Sequence, residues 1–347
     1  MTPCLAALKA WRPDLEIAVV SEPLAAPLLE DHPLVDELII AKQSVGSRAS
    51  LIAQLRKARF DVTFNMHGGS TGTILARLSG ARHSAGYRGL GLSWLLSDRA
   101  PSPDVILGRS RIHSVEQQLA LLNWSGVPWP ESRPRLSLLV TSEVKARLSA
   151  RLQTLGGGPG WKEAVAGGFG CIVPGAAFES KRWTTVGFAA VADHLNERWN
   201  LPCVVIAGPG QEELASEVAS ATRARSPVLD GLTVKELAGL LEMARVFVGN
   251  DSGPMHIAAA LGRPVVAVWG SSDSTVWHPW TATPWRVVDG RRSTADGRRL
   301  AISQIPASGV IAAADEVLEL ALVANHEAGI SDQAQRAKID FQTGSST

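Results

Sequence analysis

Apolar residues along this chain fall into short blocks of two kinds. Runs bounded by Gly, Pro, Asn or Asp read as buried strands, and blocks with apolar positions three and four apart read as helices. In the first half the pattern predicts a helix over Thr2–Trp11, a strand over Leu15–Val20, a helix over Pro23–Glu30 and a strand over Asp36–Ala41. A helix over Arg48–Arg59 follows, with Leu51, Ile52 and Leu55 as its apolar positions. The strand Phe60–Met66 then runs into His67-Gly68-Gly69-Ser70, ahead of helices over Thr71–Leu78 and His113–Trp124. The second half alternates more cleanly: strand Gly170–Val173, loop Pro174–Trp183, helix Thr184–Trp199, strand Cys203–Ala207 and helix Gln211–Thr222. A short strand, Val228–Leu229, precedes a capping box at Thr233-Val234-Lys235-Glu236 that opens a helix to Ala244. Strand Arg245–Gly249, helix Met255–Leu261 and strand Pro264–Trp269 come next, and a helix over Ala307–Asn325 closes the pattern. Strands alternating with helices predict an α/β fold with parallel sheets covered on both faces.

The alternation is interrupted once. Residues 128–134 are rich in Pro and Trp, and 156–160 read GGGPG. The expected division is residues 1–140 as one Rossmann-like domain, 141–168 as a linker region and 169–325 as a second Rossmann-like domain, with 326–347 a flexible tail. Two such domains set the carboxyl ends of two sheets against one cleft, which suits transfer between two substrates. A chain of 347 residues with 45% hydrophobic and 19% charged residues can build two cores. The net charge of +1 argues against general nucleic-acid binding. Cys4, Cys171 and Cys203 are too scattered for a disulfide framework or a zinc site and fit a reducing compartment. No apolar run approaches the roughly 20 residues of a membrane span, and Met1 does not open a signal peptide. Eleven Trp stand against a single Tyr, and Trp161, Trp183, Trp277, Trp280 and Trp285 are expected in loops.

Three turns of the second half suit phosphate: 174–181, 208–210 and 250–253. Each follows a strand, so each is expected at the carboxyl edge of one parallel sheet, where α/β proteins bind ligands. Glycines let backbone N–H groups approach phosphate oxygens, and Lys181 adds a point charge. Arg245–Ser272 concentrates this chemistry. Its turn Asn250-Asp251-Ser252-Gly253 enters a helix with Pro254 in the first turn. A carboxylate, a hydroxyl, free backbone N–H groups and His256 then gather at a helix N-terminus, which favours anions by about 0.3–1 kcal/mol each. A well-capped turn without a ligand has the same local sequence. Lys181 also fits a solvated loop cation, and His256 a packing or capping residue, as the lesser readings. The Trp277–Trp280 pair fits either a ligand-site lining or an anchor for its loop. No Walker loop is present, and no GxGxxG opens a strand–helix unit, which disfavours nicotinamide chemistry.

PGAAFESKRW at 174–183, AGPGQEE at 207–213 and GNDSGPMHIAAALGRPVVAVWGSS at 249–272 carry a resemblance in order and spacing. They are similar to the C-terminal domain of the bacterial lipopolysaccharide heptosyltransferases, glycosyltransferase family 9. The likeness continues more weakly through DVTFNMHGGSTGTILARLSGARHSAGYRG at 61–89 and His113-Ser114-Val115-Glu116. The resemblance implies a GT-B fold of two facing Rossmann-like domains. It implies inverting transfer of a sugar, usually heptose from ADP-heptose, to a lipopolysaccharide-core sugar, with no metal and no cofactor beyond the nucleotide-sugar co-substrate. Lys181 is then the contact to the donor diphosphate and Asp251 the contact to sugar hydroxyls. Ser252 and Gly253 offer a hydroxyl and a backbone N–H to the phosphates, and His256 helps neutralise the leaving group. Gln211 and Glu212 fall at the adenosine end. The implied partners are the nucleotide sugar and a lipid-linked saccharide acceptor, with no nucleic acid. The implied location is the cytoplasm, in peripheral contact with the inner membrane.

Two departures from the family pattern matter. Ala176 and Ala177 stand where many members carry hydroxyl residues, so backbone N–H groups of that loop have to serve the phosphate. The family also places a strand, and a turn bearing the aspartate general base, ahead of the helix seen here as TPCLAALKAW. That strand belongs in the middle of the N-terminal sheet, so its absence leaves a gap of unpaired backbone groups. A true start upstream of Met1 accounts for this; the alternative is a catalytically inactive nucleotide-sugar-binding remnant. A third reading is a sugar-nucleotide epimerase of the same architecture. Within the sequence given, His67 is the candidate base, since an imidazole on a glycine-flanked turn at a strand's carboxyl end is suited to accept a proton near neutral pH.

Overall fold

The computed structural model describes residues 1–42, 45–157, 160–270, 272–290 and 300–343, the side chains of 45–47, 325 and 327–343 excepted. The chain divides into two compact units, Met1–Thr141 with Asp273–Trp280, and Ser142–Ser272 with Thr281–Thr347.

The first unit contains α1 (Thr2–Trp11), β1 (Ala18–Ser21), β2 (Glu37–Ile40), α2 (Val45–Ala58), β3 (Val62–Phe64), α3 (Ser70–Leu78), β4 (His83–Tyr87), β5 (Asp98–Ala100), α4 (Pro103–Leu107) and α5 (Ser114–Trp124). Its strands are all parallel but fall in two separate sheets, β1-β2 and β3-β4-β5. The apolar core is divided likewise. Cys4 and Ala7 of α1 pack on Val115, Leu119 and Leu122 of α5, while Ile39 of β2 packs on Leu51 and Leu55 of α2. α5 begins with a capping box in which His113 Nδ1 accepts from Val115 N and Glu116 accepts from His113 N. Imidazole is an uncommon N-cap, yet the helix starts where the pattern predicts it.

The second unit contains α6 (Ser142–Thr154), α7 (Trp161–Ala166), β6 (Gly170–Val173), α8 (Thr185–Trp199), β7 (Cys203–Ile206), α9 (Glu212–Ala221), β8 (Val228–Leu229), α10 (Val234–Met243), β9 (Val246–Asn250), α11 (Gly253–Ala260) and β10 (Val265–Trp269). After α12 (Ser274–Trp277), which groups with the first unit, come β11 (Trp285–Asp289) and α13 (Ala307–Thr343). One six-stranded parallel sheet runs β11-β10-β9-β6-β7-β8. Strands β6, β7, β9 and β10 are buried along their whole length. That explains their continuous apolar runs: helices cover both faces, so alternation would put polar groups inside. The strand order doubles back at β6, whose neighbours are β7 on one side and β9 on the other.

Several expectations need correction. Pro23–Glu30 is not an α-helix; only a 3-10 turn, Ala26–Leu28, forms there. Pro27 lacks an N–H and its ring crowds the preceding turn, so the segment cannot propagate i→i−4 bonds. The linker region 141–168 groups with the second unit; its α6 matches the charged helix that the pattern predicts over residues 142–153, whereas α7 is not anticipated. The helix expected to end near Asn325 continues to Thr343, so the tail region is helical that far; 344–347 lie outside the described residues. Of the Trp residues expected in loops, Trp161 opens α7, Trp277 ends α12 and Trp285 opens β11.

Candidate functional site

The turns after β6, β7 and β9 lie side by side at the carboxyl edge of the second unit's sheet, because those three strands are neighbours. The strand order reverses between β6 and β9, and the crevice at such a switch point is where doubly wound sheets bind ligands.

The loop after β6 is fastened there at both ends by one side chain. Asn250, the last residue of β9 and wholly buried, donates from Nδ2 to Pro174 O at 2.7 Å and accepts at Oδ1 from Trp183 N at 3.0 Å. Trp183 itself is buried, donates from Nε1 to Ile305 O at 2.9 Å and meets Phe188 edge-on. The middle of the loop lies against the end of β10. A Cβ on Gly270 would sit 2.8 Å from Ser180 O and 3.6 Å from Lys181 Cα. A side chain there would displace the segment that carries Lys181.

Lys181 is thereby aimed at Asp251. Its Nζ lies 2.6 Å from Asp251 Oδ2, with the Lys181 side chain 25% exposed and that of Asp251 6%. Ser272 Oγ donates to the same carboxylate oxygen. A nearly buried carboxylate needs such partners, since leaving it unpaired costs several kcal/mol, roughly 3–5 when one member of a buried pair is removed. Ser252 is the N-cap of α11 but its hydroxyl does not cap the helix; Oγ is buried and makes no hydrogen bond to any described residue. Gly253 is exposed at the start of α11, and His256 is half-buried in the same first turn. A cation, a carboxylate, an unpaired hydroxyl and a helix N-terminus therefore converge within one turn of chain and one loop.

The remaining candidates sit on other turns. Gln211 is the N-cap residue of α9, and its Nε2 donates to Ala176 O at 3.0 Å. Glu212 turns back on its own turn and accepts from Gly210 N at 3.1 Å. His67 belongs to the first unit, where it is exposed beyond the end of β3. Its turn is held by buried Asn65, which accepts from Gly68 N at 3.0 Å and donates to Gly69 O at 3.1 Å and Thr73 Oγ1 at 2.9 Å. Ser271 lies outside the described residues.

Asn250, Ser272 and Asn65 are positioning residues that pattern reading misses. Asn250 reads locally as the first residue of a polar turn, and nothing in its neighbourhood signals partners 76 and 67 positions away. Of the Trp277–Trp280 pair, Trp277 is exposed and Trp280 is an anchor. Trp280 is buried with Cys4, Val115 and Leu119, donates from Nε1 to Pro134 O at 2.8 Å, stacks on His113 at 4.7 Å and carries the Arg133 guanidinium 3.8 Å above its ring.

A doubly wound parallel sheet with anion-suited turns at its switch point, in a chain with a second parallel α/β unit, is the GT-B class of glycosyltransferase. Residues 48–299 match the family model for glycosyltransferase family 9 (heptosyltransferase), and the chain belongs to that family. It is 28% identical over 342 residues to lipopolysaccharide heptosyltransferase 3 of Escherichia coli, covering 91% of this chain and 94% of that protein. It is 30% identical over 292 residues to lipopolysaccharide heptosyltransferase 2 of Salmonella typhimurium, covering 78% and 79%. Among solved structures, a family 9 glycosyl transferase from Veillonella parvula superposes with a TM-score of 0.76 at 22% identity, covering 91% of this chain and 92% of that one. The E. coli ADP-heptose lps heptosyltransferase II superposes with a TM-score of 0.73 at 24% identity, covering 91% and 93%.

Proposed function

We propose that this enzyme transfers heptose from ADP-heptose to a sugar of the lipopolysaccharide core, with inversion and without a metal ion. The observation that carries this is the convergence of Lys181, Asp251, the unpaired Ser252 hydroxyl and the N-terminus of α11 at the β6/β9 switch point. The names of the relatives supply the sugar and the acceptor class.

A departing ADP gains negative charge at its β-phosphate in the transition state. Preorganised positive charge aimed there stabilises that state more than the ground state. Lys181 provides an ammonium, α11 provides N–H groups and the positive end of its dipole, and Ser252 provides a hydroxyl. His256 lies in the same first turn and adds to this group. With the nucleotide sugar bound, Lys181 moves from Asp251 to the diphosphate, while Ser272 keeps the Asp251 carboxylate oriented to accept from sugar hydroxyls. Glu212 is assigned to the adenosine end. Inversion is a single displacement in which the acceptor hydroxyl attacks the anomeric carbon opposite the leaving diphosphate. His67 is the proton acceptor proposed for that step. The acceptor is lipid-linked, so the reaction takes place at the cytoplasmic face of the inner membrane by peripheral contact. Among the described residues no helix is long and apolar enough to cross a membrane.

A thermal-shift panel of ADP-, UDP- and GDP-linked sugars tests the assignment. Binding at about 100 times Kd stabilises by about 2.7 kcal/mol, an easily read shift. A shift with ADP-heptose is expected, followed by transfer to a heptose-deficient core acceptor. Shifts with UDP- or GDP-sugars alone overturn the heptose assignment.

A further inference from the structure

We infer that Gln211 is a positioning residue for the phosphate side of the site, acting through the Ala176 carbonyl, and that it is not a contact to the nucleoside. This rests on the nucleotide-sugar reading above. With alanine at 176 and 177, the loop after β6 has no hydroxyl to give a diphosphate at those positions, and the backbone must provide the hydrogen bonds. A backbone N–H is useful only if its peptide plane is held. Because a trans peptide is planar, its C=O and N–H point in opposite directions, and fixing one fixes the other.

The Ala176 carbonyl is fixed twice. Gln211 Nε2 donates to it at 3.0 Å and Arg182 Nε donates to it at 3.1 Å. Ala176 is buried, whereas Ala177 is exposed, and the Ala177 N–H has no partner among the described residues. The clamp thus holds the Ala177 N–H on the edge of the peptide opposite the two donors, free for an oxygen of a bound anion. Arg182 comes from the same loop, whereas Gln211 comes from the turn after β7 and ties the two turns together.

Two glycines admit the clamp. A Cβ on Gly175 would sit 1.8 Å from Gln211 Oε1, and a Cβ on Gly208 would sit 2.9 Å from the same atom. Neither residue has the positive φ that would otherwise call for glycine. Both are small because the Gln211 amide occupies the space between the turns. The Gln211 amide thus gives one of its two N–H bonds to the Ala176 carbonyl and is packed between the two turns.

The test uses the full-length protein and two variants, Gln211→Met, which keeps the volume and loses the amide, and Gly175→Ala, which displaces the amide without changing it. Isothermal titration with ADP, with adenosine as competitor, is the readout, and melting curves check the fold. Each variant is expected to weaken ADP about tenfold, one hydrogen bond to a charged group, while leaving adenosine unchanged. The double variant is expected to be no weaker than either single one, because both remove the same contact. An equal loss for adenosine and ADP, or unchanged ADP affinity in Gln211→Met, overturns the positioning role. Failure of the wild type to bind ADP overturns the nucleotide reading itself, and is distinguishable because it needs no variant.

Discussion

Trp183 N donates to Asn250 Oδ1 at 3.0 Å across 67 positions of sequence, and the same amide donates to Pro174 O at 2.7 Å. One buried side chain therefore closes both ends of the loop that carries Lys181. Asn250→Ala is expected to cost about 1–3 kcal/mol for each group left unpaired and to raise KM for the nucleotide sugar. Asn250→Asp keeps the acceptor for Trp183 but sets a buried carboxylate oxygen against Pro174 O, so a loss at least as large as that of Asn250→Ala is expected. Denaturant titration reads the stability, and a wild-type midpoint for Asn250→Ala removes the clasp from the account.

Lys181 and Asp251 are coupled before any ligand arrives. Lys181→Met is expected to weaken the nucleotide sugar about 10–100-fold, the range for a hydrogen bond to a charged group. It also leaves a 6% exposed carboxylate with Ser272 as its remaining partner among the described residues, so the ligand-free protein is expected to melt earlier. Lys181→Met with Asp251→Asn removes the stranded charge, so melting temperature recovers while transfer does not. Recovery of both together would sink the proposed division of labour.

Trp280 anchors the 273–280 segment in the first unit. Trp280→Ala is expected to cost about 3–5 kcal/mol, as for large aromatic truncations in cores. Trp280→Phe keeps most of the buried area but loses the bond to Pro134 O, and a smaller loss is expected. Unfolding of the intact chain monitored by tryptophan fluorescence distinguishes the two, and equal losses contradict the packing explanation.

Two histidines of the first unit, His32 buried and His278 half-buried, set a pH dependence. Burial lowers the pKa of His278, with Arg133 adding to it and Pro279 O and Glu116 opposing it. Burial likewise lowers that of His32, opposed by its bond to Ser137. A folded pKa below the unfolded value means the unfolded chain takes the proton first as pH falls. Stability is therefore fully present above the unfolded value of about 6.5 and lost as pH falls through the folded values. Melting temperature is expected to be flat from about pH 8 to 7 and to decline below about 6.5. His278→Asn and His32→Asn are expected to flatten that decline; an unchanged slope assigns it elsewhere.

Burial pushes the Cys4 thiol up to about 11 and Cys203 up to about 12, and raises Cys171 further. The thiolate is the reactive form, so a disulfide exchange reagent at neutral pH is expected to label none of the three in the native protein and all three in denaturant. Rapid native labelling of any one shows that its surroundings open.

Much of the second unit was readable from the sequence, and less of the first. Strands β6, β7, β9 and β10 announced themselves because strands covered on both faces must be apolar throughout. The capping box at Thr233 and Glu236 formed as spaced, since its partners lie within one turn. β11 was not anticipated: all five of its residues are half-buried, so it lacks an unbroken apolar run. Pro27 overruled an otherwise plausible helix by backbone chemistry alone.

By itself, the sequence determined the α/β alternation, the three turns on one sheet edge and the residue types gathered at Asn250–Gly253. These follow from local rules of periodicity, capping and turn preference, whose partners lie within a few residues. Only the tertiary structure decided that Asn250 clasps the Lys181 loop, that Ser272 shares Asp251 with Lys181, that Gln211 braces Ala176 and that Trp280 is an anchor. Each of these depends on which strands become neighbours across tens of residues. That is set by the burial of whole sheet faces, and no local pattern encodes it.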